Sequence, residues 1–109
     1  MKLKVSELRR LIRENYAREI PQHAIEDICK KSLKLSPKRA AEFCGEKLEY
    51  YFKLHINSTS TSQADLRYKI TKMHNVLSDM KEEIKDLEKV DEEKIQEIVS
   101  RHVVMFLHA

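Results

Sequence analysis

Apolar side chains recur every three or four residues along the chain, the interval at which side chains share one face of an α-helix. The first such stripe consists of Leu8, Leu11, Ile12, Tyr16 and Ile20. It predicts a helix over residues 5–19, which Pro21 ends because proline lacks a backbone N–H and restricts the residue before it. Pro21 also suits the first turn of a second helix, predicted over residues 21–33. The inward face of this second helix would be Ala24, Ile25, Ile28 and Cys29.

A third helix is predicted over residues 36–55. Ser36 followed by Pro37 is a helix-start signal, since serine accepts hydrogen bonds from first-turn amides and proline fits the first helical position. Apolar side chains cover more than one stripe of this segment, so we expect it to pack on two sides and form the centre of the fold. Gly45 in its middle costs up to about 1 kcal/mol relative to alanine, which indicates either a close helix crossing or a tolerated weak point. Serines and threonines then predict a loop over residues 56–61, because their hydroxyls compete for helical backbone bonds.

The longest regular pattern predicts a fourth helix over residues 62–89. It starts at Ser62 with Asp65 three positions later, in the arrangement of a capping box. Its apolar residues alternate steps of four and three through three heptads: Leu66, Ile70, Met73, Leu77, Met80, Ile84 and Leu87. Such a seam lines a contact between chains or packs against the protein's own helices, and the sequence leaves both open. A fifth helix is predicted over residues 91–107. Its end, Val103 to Leu107, is apolar on every side and has to be covered by this subunit or another.

These segments predict an all-α fold: a compact bundle of about five helices in a single domain of residues 1–109, with a long, heptad-patterned fourth helix. A chain of 109 residues suffices for one hydrophobic core but not for two. One glycine and two prolines leave few residues suited to the tight turns that join β-strands. The composition therefore favours helices over sheets.

The sequence also indicates where the protein works. The longest apolar run has five residues, Val103 to Leu107, whereas a membrane-spanning helix needs about 20. The amino terminus has no apolar stretch of signal-peptide length and enters the first helical pattern directly. Cys29 and Cys44 lack C-x-x-C spacing and lie among apolar neighbours, which favours buried free thiols over a disulfide. We therefore expect a cytoplasmic protein that has no membrane partner.

The chain lacks the motifs of the common catalytic sites. It has no glycine-rich phosphate loop, no H-E-x-x-H pair and no nucleophile elbow. None of the five histidines pairs with another histidine, a cysteine or a carboxylate at a recognised metal-ligand spacing. The acidic residues near the end of the fourth predicted helix alternate with lysines, which is typical of a solvated helix face. We expect a protein that is not an enzyme and has no catalytic residues, metal or cofactor.

Positive charge is concentrated in the first half of the chain. Residues 1–57 contain 13 Lys and Arg against eight Asp and Glu, whereas residues 58–109 contain eight against ten. The residues predicted to contact nucleic acid are Arg9, Arg10, Arg13, Lys30, Lys31, Lys34, Lys38 and Arg39. Such cations bind a phosphate backbone with release of counterions, and the free amides after Ser36 add donors. The first hypothesis is therefore a non-enzymatic nucleic-acid-binding protein.

A helical subunit for protein–protein interaction or assembly is the second hypothesis. Its interface would combine the heptad seam with the apolar carboxy terminus, through Leu77, Met80, Ile84, Leu87, Val104, Met105 and Leu107. The partner would be a second copy of the chain, with a dimer as the first expectation, or another protein. Both hypotheses can hold together, because they use different surfaces.

The segment from Ile20 to His55 resembles the start of the archaeal histone fold. The similar features are a short helix with Ile25, Ile28 and Lys30, a basic turn, and a central helix that begins after Ser36. The resemblance covers about a third of the chain. The predicted central helix is several residues shorter than in the family, no Arg-Thr pair follows it, and the first and fourth helices are additions. The resemblance implies a dimer of handshake helices that binds DNA through Lys30, Lys31, Lys34, Lys38 and Arg39.

Overall fold

The computed structural model describes residues 20–108. This part of the chain forms four helices without a strand: α1 (Gln22–Ser32), α2 (Pro37–Thr59), α3 (Gln63–Lys85) and α4 (Glu92–His108). The prediction of an all-α, compact helical bundle is confirmed. The predicted helix over residues 5–19 lies outside the described residues, so the described part contains four helices where the sequence predicted five in the whole chain.

The four helices form a ring in which each helix packs against two others. Helix α2 contacts α1 and α3, and α4 contacts α3 and α1. Apolar side chains from all four helices meet in one core, whose largest fully buried members include Leu48, Phe52, Ile56, Met73, Met80, Ile84, Ile95 and Val99. Phe52 of α2 stacks on Phe106 of α4 with 4.1 Å between ring centroids, so the core closes across the ring. The described residues therefore share a single hydrophobic core.

Most of the heptad seam of α3 is buried within the chain. Leu77 is 5% exposed, and Met80 and Ile84 are inaccessible to solvent. The sequence left open whether the seam packs within or between chains, and the structure shows internal packing for these three residues. Leu77, Met80 and Ile84 are therefore core residues and offer no surface to a second chain, because the neighbouring helices already cover them.

The predicted loop over residues 56–61 is wrong in extent, because α2 continues to Thr59 and only residues 60–62 separate it from α3. The hydroxyls at the end of α2 donate to backbone carbonyls of the preceding turn. Ser58 donates to Leu54 O at 2.6 Å, and Thr59 donates to His55 O at 2.7 Å. In this geometry the hydroxyls bond within the helix instead of replacing its backbone bonds. The carbonyl of Thr59 accepts from Lys69 Nζ of α3 at 3.0 Å, which satisfies one end group of α2.

Both predicted helix caps are confirmed. Ser36 Oγ accepts from the Arg39 amide at 3.4 Å with Pro37 in the first position of α2, and Ser62 Oγ accepts from the Asp65 amide at 3.1 Å. The Asp65 carboxylate accepts in turn from the Thr61 amide at 3.0 Å and pairs with Lys69 at 3.1 Å. These two contacts, the Thr61 hydrogen bond first, hold the pKa of Asp65 below its ordinary value. The start of α3 is therefore tied both to the preceding turn and to its own second turn.

Gly45 lies at a close approach between α2 and α3. A Cβ atom at this position would lie 2.8 Å from Cδ of Lys81, so the aliphatic part of that lysine occupies the space above the glycine. Of the two interpretations that the sequence allowed, the structure shows the close crossing. Glycine at this position lets the stem of Lys81 lie across the backbone of α2.

Helix α3 ends at Lys85, earlier than the predicted residue 89. The amide of Asp86 still bonds to Glu82 O, and the chain then leaves the helix. Val90 is 7% exposed and Leu87 packs against the core. Both side chains therefore pack on the core beyond the last turn of α3.

Candidate nucleic-acid interface

Five cations predicted to meet phosphate lie around one helix connection, which we name the basic turn: Lys30, Lys31, Lys34, Lys38 and Arg39. Lys30 and Lys31 occupy the last turn of α1, Lys34 the connection, and the other two the first turn of α2. All five are exposed. The turn is held in place by its apolar neighbours, because Leu33 and Leu35 pack against the core. The five cations thus surround a turn whose apolar residues are anchored on the core.

The start of α2 adds backbone donors to the same turn. Pro37 has no N–H, and the amide of Lys38 has no acceptor inside the helix because it belongs to the first turn. The amide of Arg39 donates a long hydrogen bond to Ser36 Oγ, at 3.4 Å. Amides at a helix start point outward and carry partial positive charge, which suits an anion.

Acidic residues border the basic turn. Lys31 pairs with Asp27 at 3.0 Å, but both side chains are more than 60% exposed, so solvent screens this pair and it adds little stability. Glu92 at the start of α4 lies near enough to Cys29 of α1 to contribute to its raised pKa.

The other residues predicted for the site are distributed differently. Arg9, Arg10 and Arg13 lie outside the described residues. On α4, Val104 is 54% exposed and Met105 is 43% exposed, so these two apolar side chains face solvent. Leu87 and Leu107 are partly buried against the core. The apolar carboxy-terminal stretch is thus covered only in part by the described chain.

A cluster of Glu83, Arg101 and His102 joins α3 to α4 and was not foreseen from the sequence. His102 is 2% exposed. Its Nε2 lies 2.9 Å from Oε2 of Glu83, and its Nδ1 lies 2.7 Å from the carbonyl oxygen of Ile98. The second carboxylate oxygen of Glu83 accepts from Arg101 Nη2. No sequence spacing rule relates His102 to a glutamate nineteen positions earlier. The cluster satisfies a buried imidazole, which stabilises the α3–α4 contact.

Both cysteines are free and fully buried, as the sequence predicted. Burial, and secondly the neighbouring Cys44, raise the pKa of Cys29 to about 12. Burial raises the pKa of Cys44 to about 11, although a hydrogen bond with Ser32 acts in the opposite direction. A thiolate is the reactive form of cysteine, so both thiols are held in the unreactive form.

We expect both thiols to resist an aromatic disulfide reagent at pH 8 in the folded protein and to react fully in denaturant. Because the folded state raises both pKa values, it holds the two protons more tightly than the unfolded chain. The stability that this contributes is present below the ordinary thiol pKa near 8.5 and is lost as pH rises toward 11 and 12. Absorbance of the released thiolate measures the reaction, and rapid labelling of the folded protein would contradict the burial of the pair.

Residues 20–108 contain no group of three or more His, Cys, Asp or Glu placed to hold a metal ion. In the same part of the chain, no helix combines the length and apolar character needed to cross a bilayer. Comparison of the chain with protein-family models, curated proteins and solved structures finds no match.

Proposed function

We propose that this protein is a non-enzymatic, cytoplasmic nucleic-acid-binding protein that contacts the phosphate backbone through the basic turn. The observation that carries the proposal is that five exposed cations lie around one helix connection. Cations that replace condensed counterions on a phosphate backbone gain free energy from the release of those counterions, whatever the base sequence. Outward amides at the start of α2 provide further donors to phosphate oxygens. The proposal concerns backbone contacts and implies no reading of bases.

Binding of short DNA and RNA duplexes is expected to weaken steeply with salt. If all five cations of the basic turn contact phosphate, the slope of log K against log salt is about −4.5, so affinity falls by roughly 500-fold between 50 and 200 mM salt. Changing Lys30, Lys31 and Lys34 to Glu removes three of these contacts and is expected to reduce the slope by about 2.7. Fluorescence anisotropy of a labelled duplex measures both quantities.

The matched control changes Lys47, Lys53 and Arg67 to Glu. These three cations are exposed on α2 and α3 away from the basic turn, and the substitutions alter the net charge by the same amount. The control is expected to retain most of the salt slope of the unsubstituted chain. If the two triple variants lost equal parts of the salt slope, net charge alone would explain the loss, which would contradict a specific role of the basic turn. If the unsubstituted chain bound neither duplex at low salt, the proposal itself would be contradicted.

A second candidate function is assembly through α4, alone or together with nucleic-acid binding. Its support is the exposure of Val104 and Met105, since adjoining exposed apolar side chains mark contact surfaces. The sequence also predicted Leu77, Met80 and Ile84 for this interface. They take no part in the proposed assembly surface, because they are buried in the core. The resemblance to archaeal histones adds the expectation of a dimer, and it stays a prediction.

The oligomeric state of the intact chain tests assembly. We expect a dimer by light scattering, and we expect the change of Met105 to Lys to shift it toward monomer, because a buried unpaired charge is costly. Truncation after His102 is unsuitable as a test, since it removes Phe106 from the core. Changing the exposed Tyr68 of α3 to Lys is the control. A monomeric intact protein would leave this candidate without support.

A further inference from the structure

Both ring nitrogens of the buried His102 face hydrogen-bond acceptors. Nδ1 lies 2.7 Å from the carbonyl oxygen of Ile98, one turn earlier on α4, and Nε2 lies 2.9 Å from Oε2 of Glu83 on α3. A carbonyl oxygen accepts hydrogen bonds and does not donate, and the same holds for an ionised carboxylate. The first contact therefore needs a hydrogen on Nδ1, and the second needs one on Nε2 or on the carboxylate.

A neutral imidazole cannot supply both hydrogens, because it carries one N–H and one bare nitrogen. With the hydrogen on Nδ1, the lone pair of Nε2 points at the Glu83 carboxylate. With the hydrogen on Nε2, the lone pair of Nδ1 points at the Ile98 carbonyl. Either arrangement leaves two acceptor atoms at hydrogen-bond distance with no hydrogen between them. The pair of His102 and Glu83 therefore holds one proton more than a neutral imidazole and an ionised carboxylate.

The surroundings of Glu83 indicate which partner carries the extra proton. Its side chain is 40% exposed, so the carboxylate keeps part of its hydration. Its second oxygen accepts a hydrogen bond from Nη2 of Arg101, whose guanidinium group is always charged. Hydration and a neighbouring cation both favour the ionised carboxylate. The extra proton then lies on the ring of His102.

Other titratable groups on the helices around α4 lie further from the ring or are uncharged. Lys72 of α3 and His55 of α2 both meet the ring of Phe106, one turn beyond His102 on α4. Burial raises the pKa of Cys29 on α1 to about 12, which keeps this thiol neutral. The buried side chains of α1 carry no charge: Ala24, Ile25, Ile28, Cys29 and Ser32.

The electrostatic influences on the ring thus oppose one another. Burial and the cations Lys72 and Arg101 disfavour a positive ring, whereas the Glu83 carboxylate in direct contact favours it. The two hydrogen-bond contacts decide between them, because a positive ring satisfies both acceptors and a neutral ring satisfies one.

We propose that His102 is an imidazolium in the folded chain, and that the contact between α3 and α4 weakens when this ring loses its second proton. An unfolded chain releases the proton of an ordinary histidine near pH 6.5. The folded chain then binds one more proton than the unfolded chain above this pH, so stability falls as pH rises. The stabilising contribution is fully present below about pH 6.5. This inference is independent of the nucleic-acid proposal.

Nitrogen NMR of the full-length, ¹⁵N-labelled chain tests the protonation. Both nitrogens of an imidazolium carry hydrogen and resonate close together, whereas the bare nitrogen of a neutral ring resonates far from its neighbour. We expect His102 to give two close signals at pH 7.5, roughly one unit above the ordinary histidine value. The variant His102→Leu identifies these signals by their absence. Widely separated His102 signals, like those of the histidines in the urea-unfolded chain at the same pH, would overturn the proposal.

Urea unfolding between pH 5.5 and 8.5 tests the link to stability, with Glu83→Gln as the decisive variant. A glutamine amide can donate to the bare nitrogen of a neutral ring, so this variant satisfies His102 without the second proton. Relative to Glu83→Gln, the folded-to-unfolded ratio of the unsubstituted chain is expected to fall by up to about tenfold for each pH unit above 6.5.

Two comparisons separate this effect from other titrations. The thiols of Cys29 and Cys44 are present in both proteins, so their contributions cancel in the ratio. Glu82→Gln removes a carboxylate that is 70% exposed on the same turn of α3, and it is expected to keep the pH profile of the unsubstituted chain. Parallel profiles of Glu83→Gln and the unsubstituted chain would contradict the proposal. If Glu83→Gln does not fold, the NMR signals of the unsubstituted chain still decide.

Discussion

Replacing Phe52 by Ala is expected to lower the free energy of unfolding by about 3–5 kcal/mol, the range found for large aromatic side chains in cores. Phe52 is inaccessible to solvent and stacks on Phe106, so its removal leaves a cavity where α2 and α4 meet. Small domains are stable by only about 5–15 kcal/mol, which makes this loss a large fraction of the total. Urea denaturation followed by circular dichroism measures it.

Tyr50, two positions earlier on α2, is the matched control. It is 62% exposed, so Tyr50→Ala is expected to change the free energy of unfolding by no more than about 0.5 kcal/mol. If Phe52→Ala does not fold, Phe52→Leu keeps most of the apolar volume and is expected to lose less while remaining measurable. Similar losses in Phe52→Leu and Tyr50→Ala would contradict the position of Phe52 at the centre of the core.

Replacing Glu83 by Ala is expected to cost roughly 1.5–3 kcal/mol, the range for hydrogen bonds that involve a charged group. The substitution leaves Nε2 of the buried His102 without its carboxylate partner, whereas Arg101 turns to solvent. An unsatisfied buried polar group loses its hydration without a compensating hydrogen bond, and this cost dominates the effect. Thermal and urea unfolding of the variant measure the loss.

Glu82→Ala provides the comparison for Glu83. The Glu82 side chain is 70% exposed, and its Oε1 forms a long ion pair of 3.9 Å with Lys85 Nζ. Its removal is therefore expected to change the free energy of unfolding by less than about 0.5 kcal/mol. A double-mutant cycle measures the interaction between Glu83 and His102 separately from their contacts with other residues. In His102→Leu no imidazole remains to be satisfied, so adding Glu83→Ala is expected to cost less than it does in the unsubstituted chain. Additive losses would contradict a direct interaction between Glu83 and His102.

Local signals predicted most of the elements because their physics is local. Ser36 and Ser62 accept hydrogen bonds from amides three positions later, and a short stretch of sequence suffices to recognise such caps. The predicted loop over residues 56–61 failed for the opposite reason. Whether hydroxyls end a helix or bond back to its own carbonyls depends on the contacts of the helix end with its neighbours. Here Lys69 of the next helix secures the Thr59 end.

The candidate site was predicted in part. Lys30, Lys31, Lys34, Lys38 and Arg39 are close in sequence, and a short connection between two helices must keep them close in space. The seam of α3 could not be assigned from its period alone, because a heptad pattern looks the same whether its partner is the same chain or another. Only the positions of the neighbouring helices made Leu77 a core residue.

The sequence by itself determined that the chain is helical, where the helices start, which stripe of each is apolar, and that positive charge gathers at the α1–α2 connection. These properties depend on intervals of a few residues, over which backbone geometry is fixed by the helix. The tertiary structure alone decided which stripes face each other. It brought Glu83 to His102, Lys81 over Gly45 and Phe52 onto Phe106, since contacts between distant positions depend on how whole helices share one core.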